Sequence, residues 1–234
     1  MGALKPLLWR DPSDLATMFQ DAAATIPVTS AGDPVKRINN KGTLGGHFLA
    51  PSDDQSPIYQ TDGTHHWVES DGVNDILEFQ GAVPFSVNVF EAVAFRTIAL
   101  SRAFPHIINH RGGGTNDPQQ RQPLIFTLQS APARIVCSFG GVQNAVTTGA
   151  SLVGVDTIVT TSNTAAVQTA NVNGKVSTAA GVTLTEGNAS PYSIFGPNSA
   201  RIRDYGGIHM NRVPTAGEEK TIRAYYAARS AGTA

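Results

Sequence analysis

The chain has 234 residues and a formal net charge of −1; only 15% of its residues are charged, and 23 are glycine. This length suits one β-sandwich with a sizeable core, and the composition favours strands and turns over long exposed helices. No basic field is present to hold nucleic acid, and no apolar run approaches the ~20 residues of a membrane helix, so we expect neither partner. Cys137 is the only cysteine, which excludes an internal disulfide, and its apolar neighbours predict a buried structural thiol.

The first predicted element is a short helix over about residues 12–21. Asp11-Pro12-Ser13-Asp14 has the composition of a helix start, and Leu15, Met18 and Phe19 follow at helical spacing. From residue 29 to residue 64 the chain is rich in loop-forming residues, with short strands predicted near 33–38 and 42–49.

The next stretch predicts two short strands joined at a tight corner. His66-Trp67-Val68-Glu69 and Ile76-Leu77-Glu78-Phe79 have strand composition, and Ser70-Asp71-Gly72 lies between them. Glycine permits a positive φ and aspartate can bond its own backbone, so these three residues favour a turn. We expect this corner at the rim of a curved antiparallel sheet, at the centre of a β-sandwich.

Residues 85–96 form the clearest predicted strand, because their apolar side chains recur at period two. Glu91 falls on that apolar face; we expect it to reach a rim or to pair with an arginine, and a buried catalytic glutamate is the alternative. Asn173-Gly174 predicts a tight hairpin, and Thr215 with Glu218 forms a capping box that starts a helix over about residues 215–229. Further strands are predicted at residues 106–110, 124–128, 134–139, 157–161, 166–172, 175–178, 192–196 and 207–213.

Together these elements predict an all-β fold: an antiparallel β-sandwich of jelly-roll type with short N- and C-terminal helices. We expect roughly ten to fourteen strands in two sheets. The sequence contains no internal repeat and no linker, so residues 1–234 are predicted to form a single domain.

Several motifs resemble one family. The corner, with Asp-Gly-Val-Asn-Asp at 71–75 followed by Leu77, resembles the F-D-G-V-D-D-Y-L signature of laminin-G-like, concanavalin A-like jelly-roll domains, above all the version found in tailed-bacteriophage virion proteins. Four other stretches resemble further motifs of that version and occur in the same order: residues 8–21, 32–35, 40–47 and 206–212. The match by residue covers nearly the whole chain apart from about residues 96–154.

The resemblance implies a non-enzymatic structural protein of the virion, namely a head decoration or accessory tail component that binds other virion proteins of the capsid or tail. Near-neutral charge would let copies lie side by side, so we expect a homo-oligomer. The first alternative is a tail fibre protein that binds a receptor or host glycan, and the second is a polysaccharide-degrading glycoside hydrolase.

The hydrolase alternative requires two carboxylates flanking the scissile bond. Glu69-Ser70-Asp71 supplies two acids of the Glu-x-Asp-x-(x)-Glu pattern of such enzymes on this fold, but Val73 and Asn74 occupy the positions where the third would lie. The sequence therefore does not predict catalytic residues.

Two kinds of binding residue are candidates. Carbohydrate binding needs an exposed aromatic ring, and the candidates are Tyr59, Tyr192 and Tyr205, in or beside predicted loops; core or edge packing is the alternative for each. Calcium binds to several oxygen ligands from loops, and Asp71, Asn74 and Asp75 could supply them. For these three the alternative is turn formation and strand capping, and no other cofactor is expected.

Overall fold

Strands dominate the part of the chain that the computed structural model describes: residues 1–84, 86–100, 106–109, 124–128, 133–139, 142–148, 151–183, 192–196 and 200–230. The described strands are β1 (Leu8–Arg10), β2 (Met18–Phe19), β3 (Arg37–Asn39), β4 (His47–Leu49), β5 (Ile58–Thr61), β6 (His66–Glu69), β7 (Ile76–Phe79), β8 (Val89–Ala99), β9 (His106–Asn109), β10 (Leu124–Leu128), β11 (Arg134–Phe139), β12 (Val142–Thr147), β13 (Asp156–Asn163), β14 (Val167–Val172), β15 (Lys175–Ala180), β16 (Ser193–Phe195) and β17 (Arg201–Met210). One α-helix, α1 (Ala216–Ser230), follows them in the described part of the chain.

These strands form two sheets, and the strand pairs within them are antiparallel. Sheet I has the order β15-β14-β13-β8-β17-β6-β5, and β1 also pairs with β17. Sheet II has the order β12-β11-β10-β9-β16-β7-β4-β3-β2. The all-β antiparallel sandwich predicted from the sequence is therefore confirmed. The hairpin predicted at Asn173-Gly174 joins β14 to β15.

Sheet I has a buried apolar layer on each face. Val93 and Phe95 of β8 belong to the core shared with sheet II, whereas Ala92 and Ala94 face the opposite way and pack with Ile222 of α1 and its neighbours. Period-two alternation places successive side chains on opposite faces, and α1 covers the second face. Along this part of sheet I, both faces are therefore sheltered from solvent.

The C-terminal helix begins at the predicted capping box. The Glu218 N–H donates to the Thr215 hydroxyl at 3.2 Å, and the Thr215 N–H donates to the Glu218 carboxylate at 2.8 Å. These two bonds satisfy amides that have no partner within the helix. Among the described residues, no helix is both long and apolar enough to cross a bilayer.

The helix predicted over residues 12–21 is wrong. The structure has a single 3-10 turn at Leu15–Thr17, followed directly by β2. The Asp11 carboxylate accepts the Ser13 N–H and hydroxyl, which makes a turn rather than a helix cap. Met18 is fully buried and pairs with Ile38 of β3, so sheet pairing outweighs the helical spacing of the apolar residues.

The two strands of the corner are confirmed as β6 and β7, but they do not pair with each other. β6 lies in sheet I and β7 in sheet II, so the corner, residues 70–75, carries the chain from one sheet to the other. The buried Ser70 hydroxyl fixes this crossing: it donates to the Ala200 carbonyl at 3.0 Å and accepts the Ile202 N–H at 3.1 Å.

Between the sheets lies a buried polar network. Arg10 of β1 donates to both carboxylate oxygens of Asp204 at 2.9 and 3.0 Å and to the Tyr192 hydroxyl at 3.5 Å. The Tyr192 hydroxyl donates to Glu91, whose other oxygen lies 2.9 Å from Nδ1 of His209. Glu91 is 0% exposed, so its expected place at a rim is wrong. A tyrosine and a histidine bond it directly, and the expected arginine, Arg10, acts on it through its charge.

Candidate functional site

A pocket of about 330 Å³ opens where the corner meets the start of β17. Its walls come from four separate parts of the chain: the 3-10 turn Asp53–Gln55 with the residues after it, the end of β6, the corner, and the first residue of β17. The lining residues of this corner pocket are Asp54, Ser56, Ile58, Glu69, Ser70, Asp71, Asp75 and Arg201.

Glu69 and Arg201 form the fixed wall of the corner pocket. Oε1 of Glu69 accepts two bonds from the Arg201 guanidinium, at 2.9 Å from Nε and 2.6 Å from Nη2. Oε2 accepts the indole N–H of Trp67 at 3.0 Å, and Nε of Arg203 lies 3.4 Å away. A charge-assisted, two-point contact of this kind holds both side chains in one orientation.

The corner itself is held by the side chain of Asp71 and by a glycine. Oδ1 of Asp71 accepts the N–H groups of Val73 and Asn74 at 2.7 and 3.3 Å. Gly72 has φ +79°, and a Cβ at this position would lie 2.8 Å from the backbone nitrogen of Arg201. A side chain there would push the corner away from β17, so the pocket requires glycine at this position.

Asp75 is the most buried acid of the corner pocket, with 4% of its surface exposed. Its Oδ2 accepts the Asp71 N–H at 2.7 Å. Burial raises the pKa of Asp75 to about 6; that hydrogen bond opposes the rise, and the nearby Asp71 carboxyl adds to it. A carboxyl with this pKa is present in both protonation states near neutral pH, which is what a general acid or base requires.

The three calcium candidates lie together at the corner, where the oxygens of two of them hold the turn. Asp71 and Asp75 each spend an oxygen on backbone amides, as the turn-forming alternative predicts. Among the described residues, no group of three or more histidine, cysteine, aspartate or glutamate side chains is arranged to hold a metal ion. The turn therefore explains these oxygens, and the calcium role of Asp71, Asn74 and Asp75 stays a prediction from the sequence.

The three tyrosines considered for carbohydrate binding are buried, which is incompatible with the exposed rings that the prediction needed. Tyr59 is 2% exposed and its hydroxyl bonds Nδ1 of His66, whereas Tyr192 is 0% exposed and bonds Glu91. Tyr205 is 3% exposed and packs edge-on against Trp67. The expectation of surface tyrosines is wrong for all three.

The corner pocket combines residues that the sequence pointed to with others that it did not. Glu69 and Asp71, weighed as hydrolase acids, do line one pocket, and the turn folds Asp75 back beside them. Arg201 was missed. Arg201 lies 132 positions from Glu69, and no local pattern marks such a contact in advance.

No protein-family model and no curated protein matches this chain. Solved structures do match. The Trypanosoma rangeli sialidase in complex with 2,3-difluoro-KDN superposes with a TM-score of 0.57 at 11% identity, over 92% of this chain and 35% of that chain. An arabinofuranosidase complexed with arabinofuranosyl-α-1,2-xylobiose superposes with a TM-score of 0.60 at 10% identity, over 84% of this chain and 51% of that one.

These matches establish the fold class and correct one prediction. The chain shares its β-sandwich with glycoside-processing proteins, and it spans about a third of the sialidase and about half of the arabinofuranosidase. Because both of these neighbours are enzymes, the expectation of a non-enzymatic protein is contradicted. Identities this low show the fold alone, so catalysis and binding both remain open. Neither match supports a role in a phage particle.

Proposed function

We propose that this chain is a carbohydrate-recognising β-sandwich module whose corner pocket contacts one sugar unit of a glycan. The observation that supports this most is the composition of the pocket: carboxylates and a guanidinium surround a space of about 330 Å³, with Ile58 at its wall. Sites for small molecules begin at roughly 300 Å³, so the space suits a single ring better than a long oligomer.

The side chains of the corner pocket match the hydrogen-bonding capacity of a sugar. Each sugar hydroxyl can both donate and accept; Asp71 and Asp75 offer acceptors, and Arg201 offers donors. Arg201 is held by Glu69, and Asp75 by the backbone of the corner, so little side-chain freedom would be lost on binding. The wall formed by Ile58, which is 37% exposed, gives an apolar contact for the C–H face of a ring.

The solved structures support this proposal through their ligands. The sialidase was captured with a difluoro derivative of KDN and the arabinofuranosidase with an arabinosylated xylobiose. Each of these proteins binds a sugar, although this chain corresponds to only part of either.

The binding proposal can be tested on a glycan array with wild-type protein, Arg201→Met and the control Arg212→Met. Arg212 pairs with Glu218 at the start of α1, so the control removes an ion-paired arginine that does not line the corner pocket. We expect Arg201→Met to lose about tenfold or more in affinity, with an unchanged circular dichroism spectrum, while Arg212→Met binds as wild type. Binding by Arg201→Met at wild-type strength would place the sugar elsewhere.

A second candidate is glycoside hydrolysis in the same pocket, which the pKa of Asp75 favours. An acid with a pKa of about 6 can protonate the leaving oxygen of a glycosidic bond, as the general acid of such enzymes does. Release of reducing sugar from the glycans that bind, measured between pH 5 and pH 7, tests this candidate. Hydrolysis should disappear in Asp75→Asn while glycan binding persists; hydrolysis that survives this change would remove Asp75 from the chemistry.

The virion location, the virion protein partners and the homo-oligomeric state remain predictions from the sequence resemblance. Genes for capsid or tail proteins beside this one would support the first two, and sedimentation of the purified protein would measure the third.

A further inference from the structure

We infer that the corner pocket selects its sugar by charge: it accepts sugars that carry no acidic group and excludes those bearing a carboxylate, sulfate or phosphate. This inference rests on the proposed function and adds a substrate class to it. Asp54 and Asp71 would be the residues that determine this specificity.

The charges lining the corner pocket do not balance. Four carboxylates face one guanidinium, that of Arg201. Glu69 is the acid that this guanidinium neutralises, with further support from Arg203. Within the described part of the chain, Asp54 and Asp71 have no ion-pair partner, and Lys36, which is near Asp54, pairs with Asp53. The pocket therefore has a net negative charge that an anionic ligand would meet.

Arg201 does not provide an unpaired cation for an anion. Its Nε and Nη2 bond Glu69, so an incoming carboxylate or sulfate would find only the remaining N–H groups and would lie beside the Glu69 carboxylate. Arg203 lies over the Trp67 ring at 4.5 Å and also faces Glu69. Arg201 and Arg203 are thus both committed to Glu69, as Lys36 is to Asp53.

Asp75 supplies a separate observation that points to a donor group on the ligand. Asp75 is 4% exposed, one of its oxygens holds the Asp71 N–H, and its carboxyl also interacts with that of Asp71. Two carboxyl groups this close together in a pocket favour a ligand that brings a hydroxyl or ammonium donor to them. An ionised acidic group cannot supply that donor.

Matched sugars on one array provide the test: each glycan is present in a neutral form and in an acidic form, such as methyl-esterified and de-esterified homogalacturonan or dextran and dextran sulfate. We expect the acidic member of each bound pair to bind about tenfold or more weakly, and added salt to narrow the difference. In the double variant Asp54→Asn/Asp71→Asn, the affinities for the neutral and the acidic member should differ by no more than about threefold. Both residues are exposed, and an asparagine at 71 keeps an acceptor for the turn.

The control is Asp33→Asn/Asp62→Asn, which removes the same charge at two turn aspartates outside the pocket lining. It should keep the wild-type preference. Equal or stronger binding of the acidic members by wild-type protein would overturn charge selection but leave sugar recognition standing. Binding to no glycan at all would overturn both proposals. An equal change in the control would show that the net charge of the protein, and not the pocket, sets the preference, and would overturn the inference.

Discussion

The buried ion pair between Arg10 and Asp204 permits a sharp prediction of stability. Arg10 is 1% exposed, and its Nε and Nη2 each donate to one oxygen of the Asp204 carboxylate. The two residues are 194 positions apart and join β1 to β17 inside the sandwich. Arg10→Met would leave the Asp204 carboxylate in the core without its cation.

Removal of one partner from a buried pair typically costs about 3–5 kcal/mol, because the remaining charge is desolvated and unpaired. For a protein of this size, about 1 kcal/mol corresponds to roughly 2–4 °C in Tm, so Arg10→Met should lower the Tm by roughly 6–20 °C. The Tyr192 hydroxyl keeps Glu91 as its acceptor, so most of this loss should arise from Asp204.

A double-mutant cycle with Arg10→Met, Asp204→Leu and both changes together measures this effect by urea unfolding, followed by tryptophan fluorescence. The double variant no longer carries the unpaired Asp204 carboxylate and should regain at least about 2 kcal/mol over Arg10→Met alone. A loss below about 1 kcal/mol in Arg10→Met, or a double variant whose loss equals the sum of the two single losses, would refute this account of the pair.

Three further changes follow from the structure. Because the Asp75 pKa is raised from 3.8 to about 6, its protonated form is favoured by folding; this contribution is present below about pH 4 and is lost as the pH rises through 6. Wild type should therefore lose about 1–3 kcal/mol of unfolding free energy relative to Asp75→Asn between pH 4 and pH 8. A difference between the two proteins that is the same at both pH values would contradict this. Gly72→Ala should lower the unfolding free energy by at least about 1 kcal/mol more than Gly154→Ala. The two glycines have a similar φ, but only a Cβ at position 72 would meet the backbone of Arg201. Equal losses of unfolding free energy, measured by urea unfolding, would exclude this close approach. Arg223 is 8% exposed, and its Nη1 has no hydrogen-bond partner among the described residues, so Arg223→Met should raise the stability by about 1 kcal/mol, whereas a loss would show that the guanidinium is paired.

Features that depend on neighbouring residues were predictable from the sequence. The spans of β6 and β7, the hairpin at Asn173-Gly174 and the start of α1 all match their predictions closely. Each depends on residues within a few positions of one another, through side-chain alternation, turn propensity or a capping box. The failed N-terminal helix shows the limit of such patterns, because pairing with β3 decides the conformation of Met18.

The corner pocket also combines residues that the sequence could point to with a contact that only the tertiary structure forms. Its acids at the corner stand within seven residues and could be singled out from the sequence, although a role for them could not. Arg201 reaches Glu69 only because β17 pairs with β6, and the sequence contains no signal of that register.

By itself, then, the sequence determined the strands, the turns and the sandwich, because alternation and turn chemistry act over short distances. Only the tertiary structure decided which surfaces meet solvent. The alternation along a strand says which side chains share a face, but not whether a second layer covers that face. Tyr205 packs in the outer core of sheet I, to which α1 contributes, and Tyr192 lies between the sheets. These rings are therefore buried, and the acids and the arginine of the corner pocket form the binding surface that we propose instead.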